Sequence, residues 1–152
     1  MIIVITGTCA VGKSTIAQLL EKHISGNVLQ IHVDRERFKN NSSHSHKWAR
    51  KAHERCFEKA LLLEKKGNTI VLQGNYIFSD LKDIYGTKAK YIHLNANLFK
   101  ILSRHFHRKK KHPLSMILSS WFANYFLFRK TLNTSWLTTE QTVQEIMRLV
   151  YK

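Results

Sequence analysis

The chain has 152 residues, with 25 Lys and Arg against 10 Asp and Glu, and a formal net charge of +15 at pH 7. A hydrophobic fraction of 43%, including 11% aromatics, supplies a real core, while two cysteines and one proline exclude a disulfide framework, a collagen-like repeat and a proline-rich linker. A single domain over 1–152 is expected at this length, and the charge calls for an anionic partner: nucleic acid, acidic lipid or a phosphorylated ligand.

Residues 1–6 form a continuous, largely β-branched run, the pattern of a strand buried on both faces of a parallel sheet. The run lacks the basic flank and the length of an export signal, and no uninterrupted span approaches the roughly 20 apolar residues of a membrane helix. Cys9 and Cys56 have no CxxC spacing. The expected setting is therefore the cytoplasm, with no transmembrane segment. After a glycine-bounded break, a helical pattern runs from 13 to about 23 with Ile16, Leu19 and Leu20 on one face. A second strand is expected over 27–33, closed by Asp34. A polar stretch then leads to a helix over about 47–66, capped by Gly67. Third and fourth strands follow at 68–73 and 90–94. A basic helix covers about 98–111, a very apolar helix runs from Pro113 to about 131, and a last helix spans 138–151 with Thr138 or Thr139 as N-cap. Strands alternating with helices predict an α/β domain with a mostly parallel sheet and helices on both faces.

The break after the first strand carries the sharpest signal. Gly7, Thr8, Cys9, Ala10, Val11, Gly12, Lys13 and Ser14 match GxxxxGK[ST], between a buried strand and a helix. Glycines let the backbone turn so that successive N–H groups surround a phosphate, and the helix start at Lys13, Ser14 and Thr15 adds its positive dipole end. Lys13 would reach the β- and γ-phosphates of a nucleoside triphosphate, with the Ser14 hydroxyl on Mg²⁺. A regulatory GTPase needs a guanine-reading [NT]KxD, and Thr87-Lys88-Ala89-Lys90 lacks the aspartate. A motor ATPase needs far more chain.

In its phosphate loop and order of elements the chain resembles the P-loop kinases of the nucleoside-monophosphate-kinase-like superfamily. These include shikimate, gluconate and adenylylsulfate kinases and the kinase domain of 5′-polynucleotide kinases. The resemblance implies a three-layer P-loop NTPase fold with a short basic lid, using ATP and Mg²⁺. It gives Asp34, after the second strand, the part of orienting the acceptor hydroxyl, taking its proton or holding the metal; the bland alternative is a helix N-cap. Arg35 or Arg37 would hold the acceptor. Arg104 and Arg108, one helical turn apart, would close over the phosphates and stabilise the transferring group, unless they belong to a merely solvated basic helix. One departure stands out. Gln73, followed by Asn75, occupies the end of the third strand where many relatives carry a metal-supporting acid. Metal support then falls to Ser14, Asp34 and water. Gln73 and Asn75 are free to bind the acceptor, or the enzyme is weak or inactive.

Other features take plainer readings. The pairs His44/His46 and His105/His107 lack the i, i+4 spacing of a metal face. The apolar stretch 114–128 is either core, a homodimer contact or a membrane-facing helix. Lys47, Arg50, Lys51 and Arg55, with Trp48 able to stack a base, would suit a polynucleotide end. The expected function is an ATP-dependent phosphotransferase acting on a hydroxyl, in either a 5′-hydroxyl polynucleotide or nucleotide or a small metabolite. The second class is a catalytically weak ATP-binding module engaging nucleic acid, a protein or a membrane.

Overall fold

Every residue of the first strand, β1 (Ile2–Gly7), is buried, as its unbroken apolar run requires of a strand covered on both faces. The structure, a computed structural model, describes residues 1–40, 46–74, 83–107, 113–127 and 132–152, with backbone alone for 37–40, 46–49 and 124–127. Asn75, Arg108 and Lys109 to Lys111 therefore lie outside the described residues, as do the side chains of Arg37, Lys47 and Trp48.

After β1 come α1 (Lys13–His23), β2 (Val28–His32), α2 (Val33–Asn40), α3 (His46–Glu64), β3 (Thr69–Gln73), β4 (Ala89–Asn95), α4 (Leu98–Phe106), α5 (Leu114–Leu127), β5 (Leu132–Asn133) and α6 (Thr139–Val150). The strands form one parallel sheet in the order β2-β3-β1-β4-β5. The chain moves to one side of β1 for β2 and β3 and to the other for β4 and β5. The carboxyl end of β1 thus lies at the switch point where doubly wound sheets open a ligand crevice.

Alternation along β1 splits the core into two layers. Ile3 and Ile5 join Ile16 and Leu20 of α1, Ile101 of α4, Ile117 of α5 and Val143 and Ile146 of α6. Ile2 and Val4 face the opposite way, onto Ala52, Cys56, Phe57 and Ala60 of α3 and onto Tyr85. This three-layer arrangement is the α/β architecture expected from the alternation of elements. Within the second layer Tyr85 stacks edge-on against Phe57, with ring centroids 4.7 Å apart, and its hydroxyl bonds to the buried ring of His53.

Three elements depart from expectation, the simplest being α4, which ends at Phe106 with His107 as C-cap, short of the expected 111. The helix α2 begins at Val33, directly after β2, so Asp34 lies in a first helical turn and does not end a strand. Val33 is buried while Asp34 and Glu36 sit in that turn, where carboxylates meet the positive end of the helix. The third is β5, only two residues long, held by the register Leu94↔Leu132 and Asn95↔Asn133 and by Thr134 N–H donating to the Asn95 carbonyl at 2.7 Å. Among the described residues no helix is long and apolar enough to cross a membrane.

Candidate nucleotide-binding site

The loop between β1 and α1 takes its shape from two glycines. Gly7 has φ +138°, and a Cβ there would lie 2.2 Å from the Leu94 carbonyl oxygen of the neighbouring strand. Gly12 has φ +110° and serves as N-cap of α1 without a capping side chain, and no acid stands in the first turn. Helix starts of this kind direct backbone N–H groups and a partial positive charge at an anion. Ala10 adds a left-handed residue at φ +66°.

Lys13 lies back across its own loop. Its Nζ donates to the carbonyl oxygens of Gly7 at 2.7 Å and Thr8 at 3.0 Å. The ammonium is thus already held over the loop that the motif assigns to phosphate. Below it, Thr6 and His93 are register partners on β1 and β4, and a 2.7 Å hydrogen bond joins Thr6 Oγ1 to His93 Nδ1. Burial, with the Lys13 charge close by, pushes His93 down to about 4, so the ring is neutral near pH 7. Ser14 and Thr15 are exposed at the helix start.

Beside the loop opens a pocket of about 270 Å³. One wall is Ala10, Val11, Gly12 and Thr15, another is Arg104, and the third is Thr134, Leu137, Thr139 and Thr142 from the end of β5 and the start of α6. Arg104 Nη1 donates to the Val11 carbonyl at 2.9 Å, so this arginine is fastened to the loop and borders the pocket. The start of α6 follows the sequence expectation, with Thr138 as N-cap, whereas β5 and the wall at Thr134 and Leu137 are not expected from it. Residues 131–139 carry no strand pattern, with Leu132, Trp136 and Leu137 scattered among Thr, Asn and Ser. A capping box at Thr138 and Gln141 sets the start of α6 and with it Thr139 and Thr142.

Across β1 the sheet edge is formed by β3 and β2. Gln73, 4% exposed, donates from Nε2 to Gln30 Oε1 at 3.1 Å and to His32 Nε2 at 3.2 Å. An accepting Nε2 requires neutral His32, and burial together with Arg35 lowers its pKa, against the opposing pull of Asp34. The topology therefore brings Gly7–Thr15 and Arg104 together on one side and sets Asp34 and Arg35 beyond Gln73 at the same sheet edge. Arg50 is paired with Glu54 at 3.0 Å on α3, and Lys51 and Arg55 are exposed.

For Mg²⁺ the donors are few. Among the described residues no group of three His, Cys, Asp or Glu side chains converges. Ser14 offers a hydroxyl, Asp34 a carboxylate, and Gln73 only a neutral amide already donating to its neighbours. Such a set fits a hard cation that arrives on a nucleotide and keeps much of its water, rather than a protein cage.

This loop, pocket and strand order define a P-loop protein with the fold of the nucleoside-monophosphate-kinase-like kinases. Solved structures agree across nearly the whole chain. A sugar kinase from Janibacter sp. superposes with a TM-score of 0.77 at 13% identity, covering 99% of this chain and 94% of that one. A shikimate kinase from Bacteroides thetaiotaomicron gives 0.71 at 11% identity, covering 100% and 99%. The adenylylsulfate (APS) kinase of Mycobacterium tuberculosis, solved with AMPPNP and APS, gives 0.67 at 16% identity, covering 99% and 97%. No curated protein sequence gives a significant match. The family described as an AAA domain matches residues 3–117, and the chain belongs to that family.

Proposed function

We propose that the chain is an ATP-dependent kinase that moves the γ-phosphate of ATP to a hydroxyl acceptor. The observation that carries this reading is Lys13, held by the Gly7 and Thr8 carbonyls above an uncapped helix start, with a pocket beside the same loop. In this reading the loop amides of residues 8–15 and Lys13 grip the phosphates, and the base enters the pocket bordered by Arg104 and Leu137. Ser14 and Asp34 would hold Mg²⁺ arriving on the nucleotide, and the ion would supply screening of the phosphate charge. Asp34 orients the acceptor hydroxyl and takes its proton as the acceptor oxygen bonds to phosphorus and the β–γ bridge breaks. Arg35 or Arg37, with Asn75 and the amide oxygen of Gln73, whose N–H group is taken by Gln30 and His32, holds the acceptor, and Arg108 joins Arg104 over the phosphates. Catalysis of this kind is positioning plus electrostatics, which this residue set supplies.

The acceptor is either a 5′-hydroxyl polynucleotide or nucleotide, for which the net charge argues, or a small metabolite. A second reading, an ATP-binding module with weak turnover, rests on Gln73, whose amide is committed to Gln30 and His32 where a metal-supporting acid is usual.

The test is a γ-phosphate transfer screen over 5′-hydroxyl oligonucleotides, nucleosides, nucleotides and sugar or acid alcohols, run with Lys13→Ala and Asp34→Ala. Transfer to one class, reduced roughly 100-fold or more by either substitution, is expected. Transfer undiminished in both variants would remove the assigned site. Nucleotide binding without transfer to any acceptor would favour the second reading.

A further inference from the structure

Six of the ten large hydrophobic side chains exposed among the described residues come from one part of the chain: Phe99, Phe106, Leu114, Leu118, Phe122 and Trp136. Phe99 is 84% exposed and Trp136 86%. Hydrogen bonds tie the elements that carry part of this set together. Asn97 N–H donates to Ser135 Oγ at 2.7 Å, which places Trp136 beside the start of α4. Trp121 Nε1 donates to the Ala96 carbonyl at 3.0 Å, and Phe122 stacks edge-on against Trp121. Ser135, next to Trp136, and Trp121, next to Phe122, are thus both tied to the Ala96–Asn97 segment that leads into α4 two residues before Phe99. Leu114, Leu118 and Phe122 recur every fourth residue, a single exposed stripe on α5, while Ile117 points into the core.

The same part of the chain has an unusual charge pattern. From residue 84 to residue 139 there is no Asp or Glu, against ten Lys and Arg. In sequence, α5 is bracketed by basic residues at 108–111 and at Arg129 and Lys130. Three occupants would cover an apolar face. A second copy would bring another +15 against the first. Single-stranded nucleic acid would use the rings but leave Leu114 and Leu118 without a role. A bilayer carrying acidic lipid suits both observations, with leucines and rings fit for the acyl boundary and an acid-free segment of ten cations fit for anionic headgroups.

We propose that the exposed face of α4 and α5, with Trp136, docks on an anionic membrane surface. This goes beyond the kinase reading and does not rest on it. A catalytically silent chain would bind in the same way.

The test is cosedimentation of the full chain with vesicles of phosphatidylcholine alone or with about 30% phosphatidylserine, at about 50 and 500 mM NaCl. Two paired variants, Leu118→Ser with Phe122→Ser and Phe99→Ser with Trp136→Ser, change exposed side chains, and circular dichroism confirms their fold. Pelleting with the acidic vesicles at low salt is expected, with little on phosphatidylcholine alone and at least a roughly tenfold loss in each paired variant. Absence of pelleting at low salt would overturn the proposal. So would paired variants that pellet like the parent, since cations alone would then explain adsorption. A concentration-dependent dimer that the same substitutions dissociate, without vesicle binding, would assign the face to a second copy.

Discussion

Replacing Gly7 or Gly12 by alanine is chemically one change with two physical costs. At Gly7 the new Cβ would meet the Leu94 carbonyl oxygen at 2.2 Å in a backbone already at φ +138°, so β1 and β4 would have to part. At Gly12 nothing lies within 4 Å, and only the φ of +110° is unfavourable. Gly7→Ala is expected to destabilise by about 3 kcal/mol or more, and Gly12→Ala by roughly 1–2 kcal/mol. Urea unfolding monitored by circular dichroism measures both; equal losses would show that the strand contact is not what restricts position 7. His93 supplies a second residue-scale prediction. The unfolded chain takes up a proton at this position near 6.5, but the folded chain resists it to about 4, so the unfolded state binds more protons between those values. Stability is then flat above about 6.5 and falls as pH drops towards about 4, by up to about 3 kcal/mol. His32 adds a loss of the same sign. His93→Gln should flatten the pH profile, and in the parent the His93 ring resonances should hold still from pH 8 down to about 5. A ring titrating near 6.5 would remove the effect.

At the scale of elements, α6 shows how a local cap sets a distant wall. Thr138 Oγ1 accepts from Gln141 N–H at 3.2 Å, and Gln141 Oε1 accepts from Thr138 N–H at 2.8 Å. The same turn carries Thr139 and Thr142 into the pocket. Thr138→Ala is expected to cost about 1 kcal/mol in urea unfolding and to weaken nucleotide binding severalfold in calorimetry, although residue 138 lines no part of the pocket. Unchanged nucleotide affinity would separate the cap from the pocket. This element also marks where sequence reading succeeds. The strand β1, its loop and α1 are legible because a continuous apolar run, two glycines and a 3.6-residue stripe coincide. The helix α6 is legible through its capping threonine. The segment of α2, Val-Asp-Arg-Glu-Arg-Phe-Lys-Asn, has no apolar period; among its described side chains Val33 is buried and Asp34 and Glu36 stand in the first turn, where the helix favours them. The strand β5 is two residues fastened by main-chain bonds to β4, which no side-chain pattern announces. For the same reason the pocket wall at Thr134 and Leu137 emerges only on folding. Gln73 is legible as an amide in an acid's place. Its commitment to Gln30 and His32 is a tertiary fact.

For the molecule as a whole, the positive charge acts in two separable ways. Fifteen excess cations repel one another throughout the folded chain, and dilute salt screens that repulsion over roughly a Debye length of 10 Å at 0.1 M. Sodium chloride should therefore raise the melting temperature, and it should do so as much in Lys13→Met as in the parent, corrected for the single lost charge. The phosphate loop acts differently. Its uncapped helix start and Lys13 form a local anion site, so an anion shaped like a phosphate chain should stabilise beyond screening, by the free energy of site binding. Thermal melts in chloride and in pyrophosphate at matched ionic strength measure the difference. An excess shift of about 4–8 °C with pyrophosphate corresponds to roughly 2–3 kcal/mol for a chain of this size, reached when the ligand stands near 100 times its dissociation constant. Lys13→Met should abolish most of that excess while leaving the chloride response intact. If pyrophosphate and chloride act alike in the parent, the charge of this chain is a surface property alone, and the loop does not select phosphate.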